Sequence, residues 1–226
     1  MKRPVLVFDV NETLLDVKAM RPAFEATFGD ATLMDDWFSM LLRYSLEVSV
    51  TGDYRSFDEL AEAALTVAAR RQGHDPTSDD VTSVIATMSN LPAHPDVAQG
   101  LADLSDAGFS LITLTNSRTE VVGEQLAFAG IAEHFDATLS VESVRAFKPA
   151  PATYEFAANT VDRPIDELLL IAANDWDVNG ALLAGAGAAF VERPGATRAP
   201  HNQIPAMVGP DLISVAAQLI DTYPNS

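Results

Sequence analysis

The chain has 226 residues, 48% of them hydrophobic, enough to bury a full core as one domain or as a core carrying an inserted subdomain. Its formal charge of −18, from 32 acidic against 14 basic side chains, repels phosphate backbones and argues against a nucleic-acid footprint. There is no cysteine, which excludes disulfides, thiolate metal sites and a cysteine nucleophile.

Met1-Lys2-Arg3-Pro4 leads into Val5-Leu6-Val7-Phe8, an apolar run ending at Asp9-Val10-Asn11, the pattern of a buried parallel strand opening into a loop. The run is too short for a signal segment or a membrane span, so no membrane association and a cytoplasmic location are expected. From about Val17 to Asn90 the periodicity is helical, with apolar residues three or four apart in Phe24/Phe28, Trp37/Leu41 and Leu60/Ala64. Helices are predicted over roughly 18–28, 33–50, 56–72 and 78–89. Ser56-Phe57-Asp58-Glu59 and Thr77-Ser78-Asp79-Asp80 have the form of capping boxes opening two of them.

After Leu91-Pro92, strand and helix patterns alternate: helix 95–106, strand 110–115, helix 119–129, short strand 137–140, helix 151–161, strand 168–173, helix 178–184, strand 188–192 and helix 212–222. Such alternation predicts an α/β fold, a Rossmann-like parallel sheet with helices on both faces. The expected division is a core of residues 1–15 and 92–226, with 16–91 as an all-helical cap inserted after the first strand. The Pro- and Gly-containing loop Arg193–Pro205 is read as a surface connection. Met40 and Leu46 on the cap helices supply apolar surface for a homodimer.

In a parallel sheet ligands bind beyond the carboxyl ends of the strands. Polar residues gather there at Asp9, at Thr115-Asn116-Ser117, at Lys148, and at Asn174-Asp175-Trp176-Asp177. Each has an ordinary structural alternative: a buried Asp, a helix N-cap, an exposed loop cation. Lys148 stands out because the chain has only three lysines, and an ion pair to Asp9 would hold a carboxylate nucleophile ionised and oriented. Asp177 is a candidate for holding or activating a water.

Together these residues resemble the haloacid dehalogenase superfamily. Its motifs stand here, in order, as Asp9-Val10-Asn11-Glu12-Thr13, the strand Leu111-Ile112-Thr113-Leu114-Thr115, Lys148-Pro149, and the acidic loop ending at Asp177. Phe147–Tyr154 and Asn174–Asp177 are similar to the (S)-2-haloacid dehalogenase branch. The resemblance implies that Asp9 displaces halide from a short 2-halocarboxylate, a small-molecule carboxylate substrate. A water near Asp177 then hydrolyses the aspartyl ester to a 2-hydroxy acid. It further implies that Thr13 and Lys148 position Asp9, and that Thr115 with the backbone of Val10 and Asn11 holds the substrate carboxylate. Asn116 and Asn174 are expected beside the halide or the water, Trp176 and Tyr154 as pocket walls. Phe38 stands where the branch carries a halide-binding arginine, and Ala172 where it carries a serine.

No cofactor and no metal are implied on this reading. The alternative is a Mg²⁺-dependent phosphatase of a small metabolite. A phosphatase needs a second Asp two residues after the nucleophile and an acid four residues before the last Asp of the fourth motif. Those positions hold Asn11 and Ala173. A non-catalytic carboxylate-binding module on the same scaffold is a third reading.

Overall fold

The computed structural model describes residues 2–224. Six short strands, β1 (Val5–Phe8), β2 (Leu111–Thr115), β3 (Ala137–Ser140), β4 (Leu168–Ala172), β5 (Gly187–Val191) and β6 (Met207–Gly209), form one sheet in the order β3-β2-β1-β4-β5-β6. Every neighbouring pair is parallel, with Phe8 of β1 level with Thr113 of β2 and Ile171 of β4. The apolar runs of β1, β2 and β4 are buried along their whole length, as strands covered on both faces must be.

Nine α-helices accompany the sheet among the described residues. Four precede β2 and follow β1: α1 (Arg21–Phe28), α2 (Leu33–Thr51), α3 (Phe57–Arg71) and α4 (Ser78–Ala86). The others alternate with strands: α5 (Val97–Asp106), α6 (Thr119–Phe128), α7 (Pro151–Thr160), α8 (Asp175–Ala184) and α9 (Leu212–Thr222). Right-handed crossovers place α5 and α6 on one face and α7 and α8 on the other. Consistent with this, α7 packs on α8, and α9 returns to pack on α5. The strand order reverses at β1, so the residue following β1 stands at the switch point where such sheets bind ligands.

Residues 17–90 contain no strand. Both capping boxes form: Ser56 Oγ accepts from the Glu59 amide while the Glu59 carboxylate accepts from the Ser56 amide, and Thr77 and Asp80 repeat the exchange. Trp37, fully buried, donates its indole N–H to the Ala61 carbonyl at 3.0 Å, joining α2 to α3. This helical block grips the loop that carries Lys148. The Phe147 ring stacks on Tyr54 (centroids 5.4 Å) and tilts against Phe57 (5.8 Å), and its amide donates to Ser49 Oγ at 3.0 Å.

Four sequence expectations change. The helix expected from residue 18 opens as a 3-10 turn, Val17–Met20, because Pro22 cannot donate to a preceding turn and fits only the start of an α-helix. α8 begins at Asp175, three residues early, since Asp175 and Asp177 both favour a first helical turn. β6 was not foreseen: three residues give no alternation to read. Met40 is buried and offers no outer surface, whereas Leu46 is 47% exposed.

Candidate active site

The four motifs converge at the carboxyl end of β1. Asp9 follows Phe8 directly, and its amide donates to the Ile171 carbonyl of β4 at 3.1 Å, so the residue is fixed by one last sheet bond. Its carboxylate is almost wholly buried and receives three donors. Lys148 Nζ reaches Oδ1 at 2.8 Å; Thr13 Oγ1 and Asn174 Nδ2 reach Oδ2 at 2.7 and 3.1 Å. Oδ2 is thereby saturated, and Oδ1 keeps the freer lone pair for attack on carbon.

Lys148 Nζ also donates to Asp177 Oδ2 at 2.6 Å, bridging the two carboxylates from a position with no solvent access. Burial alone pulls the ammonium pKa down, but Asp177 and Asp9 outweigh it and hold Lys148 above its ordinary 10.5. Asp177 is pushed up to about 6 by burial, against the pull of Lys148 and with the charge of Asp9 adding to the rise.

The supporting residues come from every strand end. Thr13 Oγ1 accepts from the Ala173 amide at 2.9 Å while donating to Asp9, tying the loop after β1 to the loop after β4. Asn116 Oδ1 accepts from the Lys148 amide at 3.0 Å, which leaves its Nδ2 without a protein acceptor among the described residues. Thr115 Oγ1 accepts from the Ser117 amide at 3.1 Å. The Asn11 side chain is spent within the protein, donating to Ser117 Oγ at 3.1 Å and accepting from Gln125 Nε2 at 3.2 Å.

Two expected residues stand elsewhere. Tyr154, predicted as a pocket wall, is buried behind Asp177, where its hydroxyl lies 2.6 Å from Asp177 Oδ1 and 3.1 Å from the Asp177 carbonyl. Burial and the Asp177 charge hold the phenol well above pH 10, so it is a permanent donor. Phe38 is buried on α2 with its ring 5.9 Å from Trp37, and contributes no polar group. Arg43 lies over Tyr44 and lines a cavity with Asp36, Met40 and Arg71 on the α2–α3 surface, so it does not replace the missing arginine. Trp176 is half-buried in the first turn of α8, and Val10 is fully buried beside Asp9.

Sequence reasoning missed Arg193. Assigned to a surface loop, it is buried, and its Nε and Nη2 donate to the Thr13 carbonyl at 3.1 and 2.8 Å. Nη1 meets Asp96 Oδ1 at 2.6 Å, so the guanidinium clamps the nucleophile loop to the start of α5. The available signal was its position two residues beyond β5, the same strand-end register as the other polar groups. Gln125 was also missed; fully buried, it links Asn11 to the Met88 carbonyl at 2.8 Å.

Each Asp177 oxygen accepts one hydrogen bond, from Lys148 and from Tyr154, and Asp175 Oδ2 accepts from the Ala199 amide and Asn202, each at 3.0 Å. No three acidic or histidine side chains among the described residues converge as a metal site. Among the described residues, no helix is long and apolar enough to cross a membrane.

Comparison with known proteins agrees with this arrangement. An (S)-2-haloacid dehalogenase H-109 of Pseudomonas putida is 28% identical over 219 residues, covering 96% of this chain and 97% of that one. (S)-2-haloacid dehalogenase 1 of Pseudomonas sp. (strain CBS-3) is 30% identical over 177 residues, 77% of this chain and 78% of that protein. The solved structure of L-2-haloacid dehalogenase from Xanthobacter autotrophicus superposes with a TM-score of 0.90 at 25% identity, covering 99% of this chain and all of that one. The family described as haloacid dehalogenase-like hydrolases matches residues 4–185, a span that takes in Asp9, Thr115, Lys148 and Asp177, and the chain belongs to that family.

Proposed function

We propose that the protein is a metal-independent hydrolytic dehalogenase of short (S)-2-haloalkanoic acids, working through an aspartyl ester at Asp9. The observation that carries this reading is Lys148 Nζ seated between Asp9 and Asp177 at 2.8 and 2.6 Å. A fixed ammonium there does what a divalent ion does for phosphoryl chemistry, and it suits a monoanionic substrate whose leaving group needs no proton.

In the first step the Asp9 Oδ1 lone pair forms a bond to C2, and the C2–halogen bond breaks with its electron pair leaving as halide; no proton moves. The free Asn116 Nδ2 and the backbone after Asp9 hold the substrate carboxylate or the halide. In the second step a water attacks Cγ of the ester and gives one proton to Asp177. The tetrahedral adduct collapses, breaking the bond from Cγ to the alkoxide oxygen, which takes the other water proton and leaves as the 2-hydroxy acid. Positioned general bases contribute about 10²–10⁴-fold in such steps. Tyr154 and Lys148 fix the Asp177 carboxylate for that transfer. With Phe38 in place of a cationic halide ligand, leaving-group stabilisation rests on neutral donors, at a cost of about 1.5–3 kcal/mol, or about 10- to 100-fold in rate.

The test is halide release from (S)-2-chloropropionate in EDTA, with p-nitrophenyl phosphate and Mg²⁺ in parallel. Halide release without metal supports the reading; phosphate release alone overturns it.

A further inference from the structure

Each turnover of the proposed reaction converts a haloacid anion and water into a hydroxy acid anion, a halide and one proton. That proton is left on Asp177, which is wholly enclosed and bridged by Lys148 to the almost wholly enclosed Asp9, and has to cross the protein before the next cycle. Next to Asn174, whose amide reaches Asp9, lies a cavity of about 400 Å³. Ala173 and Asn174 form its inner end, and exposed Lys18, Pro194 and Thr197 its rim. At about 30 Å³ per water it has room for several waters. Asn174, in its wall, is the residue whose amide donates to Asp9 Oδ2.

Glu12 also lines this cavity. Its backbone is left-handed, with φ at +64°, a conformation that disfavours any residue with a Cβ. Its carbonyl accepts from His94 Nε2 at 3.2 Å, but its carboxylate has no hydrogen-bond partner among the described residues. A strained position has thus been given an acidic side chain that makes no bond within the fold and faces the passage out of the site.

We propose that Glu12 is the proton outlet of the enzyme, accepting the proton that ester hydrolysis leaves at the Asp177–Lys148–Asp9 cluster through water in this cavity and passing it to solvent. The inference rests on the haloacid reading above. Burial and the charge of Asp9 push Glu12 up to about 7, with Lys18 opposing and Asp35 and Asp16 adding to the rise. His94, whose pKa burial and Arg193 lower, completes the titratable lining of the cavity with Asp175 and Arg193.

The test compares native enzyme with Glu12→Gln and Glu12→Gly, the second of which relieves the left-handed backbone and guards against a folding defect. Single-turnover halide release from (S)-2-chloropropionate, which moves no proton, should match native in both. Steady-state turnover in dilute buffer should fall about tenfold or more, lose its rise with pH through neutrality, and be restored by added imidazole. Turnover and pH profile equal to native in either variant would overturn the outlet. A loss that imidazole does not restore, or that reaches single-turnover halide release, would also overturn it, assigning Glu12 a structural role. A native enzyme that releases no halide overturns the proposed function and the outlet together.

Discussion

Tyr154 holds Asp177 from behind: its hydroxyl donates to Asp177 Oδ1 at 2.6 Å, on the side of the carboxylate away from Lys148. Tyr154→Phe removes that donor and leaves a buried carboxylate oxygen unpaired, a loss of about 1–3 kcal/mol. If the loss falls on ester hydrolysis alone, steady-state turnover drops about 10- to 100-fold while single-turnover halide release is unchanged. Intact-protein mass spectrometry during turnover should then find the acyl adduct accumulating. Equal slowing of both steps would place Tyr154 in general packing.

Gly180 makes this arrangement possible. A Cβ there would lie 2.4 Å from Pro149 Cβ and 2.6 Å from the Tyr154 hydroxyl oxygen, so α8 can approach the Lys148 loop only with glycine. Gly180→Ala should destabilise the protein by about 1–3 kcal/mol, as overpacking in a core does. Because the displaced atoms belong to the residues flanking Lys148 and Asp177, turnover should fall more than stability does. Urea unfolding and kcat measured on the same preparation would separate the two effects.

Lys148→Met would leave Asp9 and Asp177 facing each other without their cation. Removing one partner from a buried ion pair costs about 3–5 kcal/mol. The loss should be largest at pH 8, where Asp177 is charged, and smaller near pH 5, where Asp177, at about 6, takes a proton. Chemical unfolding at the two pH values checks this, and equal losses would contradict the bridging role.

Glu12 binds its proton more tightly in the folded chain, at about 7, than its ordinary 4.5 in the unfolded one. Folding stability therefore falls as pH rises from 4.5 to 7, and the penalty is complete above 7. Glu12→Gln should stabilise the protein by about 1–3 kcal/mol at pH 8, less than the full shift because the side chain reaches water, and by almost nothing at pH 4.5. Thermal unfolding at both pH values reads the difference.

Much of this was legible in the sequence because its signals were local. The runs Val5–Phe8, Leu111–Thr115 and Leu168–Ala172 announce buried strands, and the residue after each such strand is where a parallel sheet binds ligands. The scarcity of lysine made Lys148 conspicuous. What stayed hidden depends on contacts across the chain. Arg193 looks like any loop arginine until β5 delivers it to the Thr13 carbonyl. Tyr154 reads as a pocket aromatic until α7 packs on α8 and turns its hydroxyl to Asp177. Glu12 sits inside a motif read for its neighbours, and only the cavity beside it singles it out.

In the proposed reaction Asp9 forms a covalent ester which water opens at Cγ. A single turnover with enzyme in excess over (S)-2-chloropropionate, run in oxygen-18 water and followed by mass spectrometry of the product and of the peptide containing Asp9, tests it most directly. The hydroxyl of the first product should carry the original Asp9 oxygen, with the heavy atom in the Asp9 carboxylate and no turnover in Asp9→Asn. Heavy oxygen in the first product, with Asp9 unlabelled, would mean that water displaces halide directly and would contradict the ester.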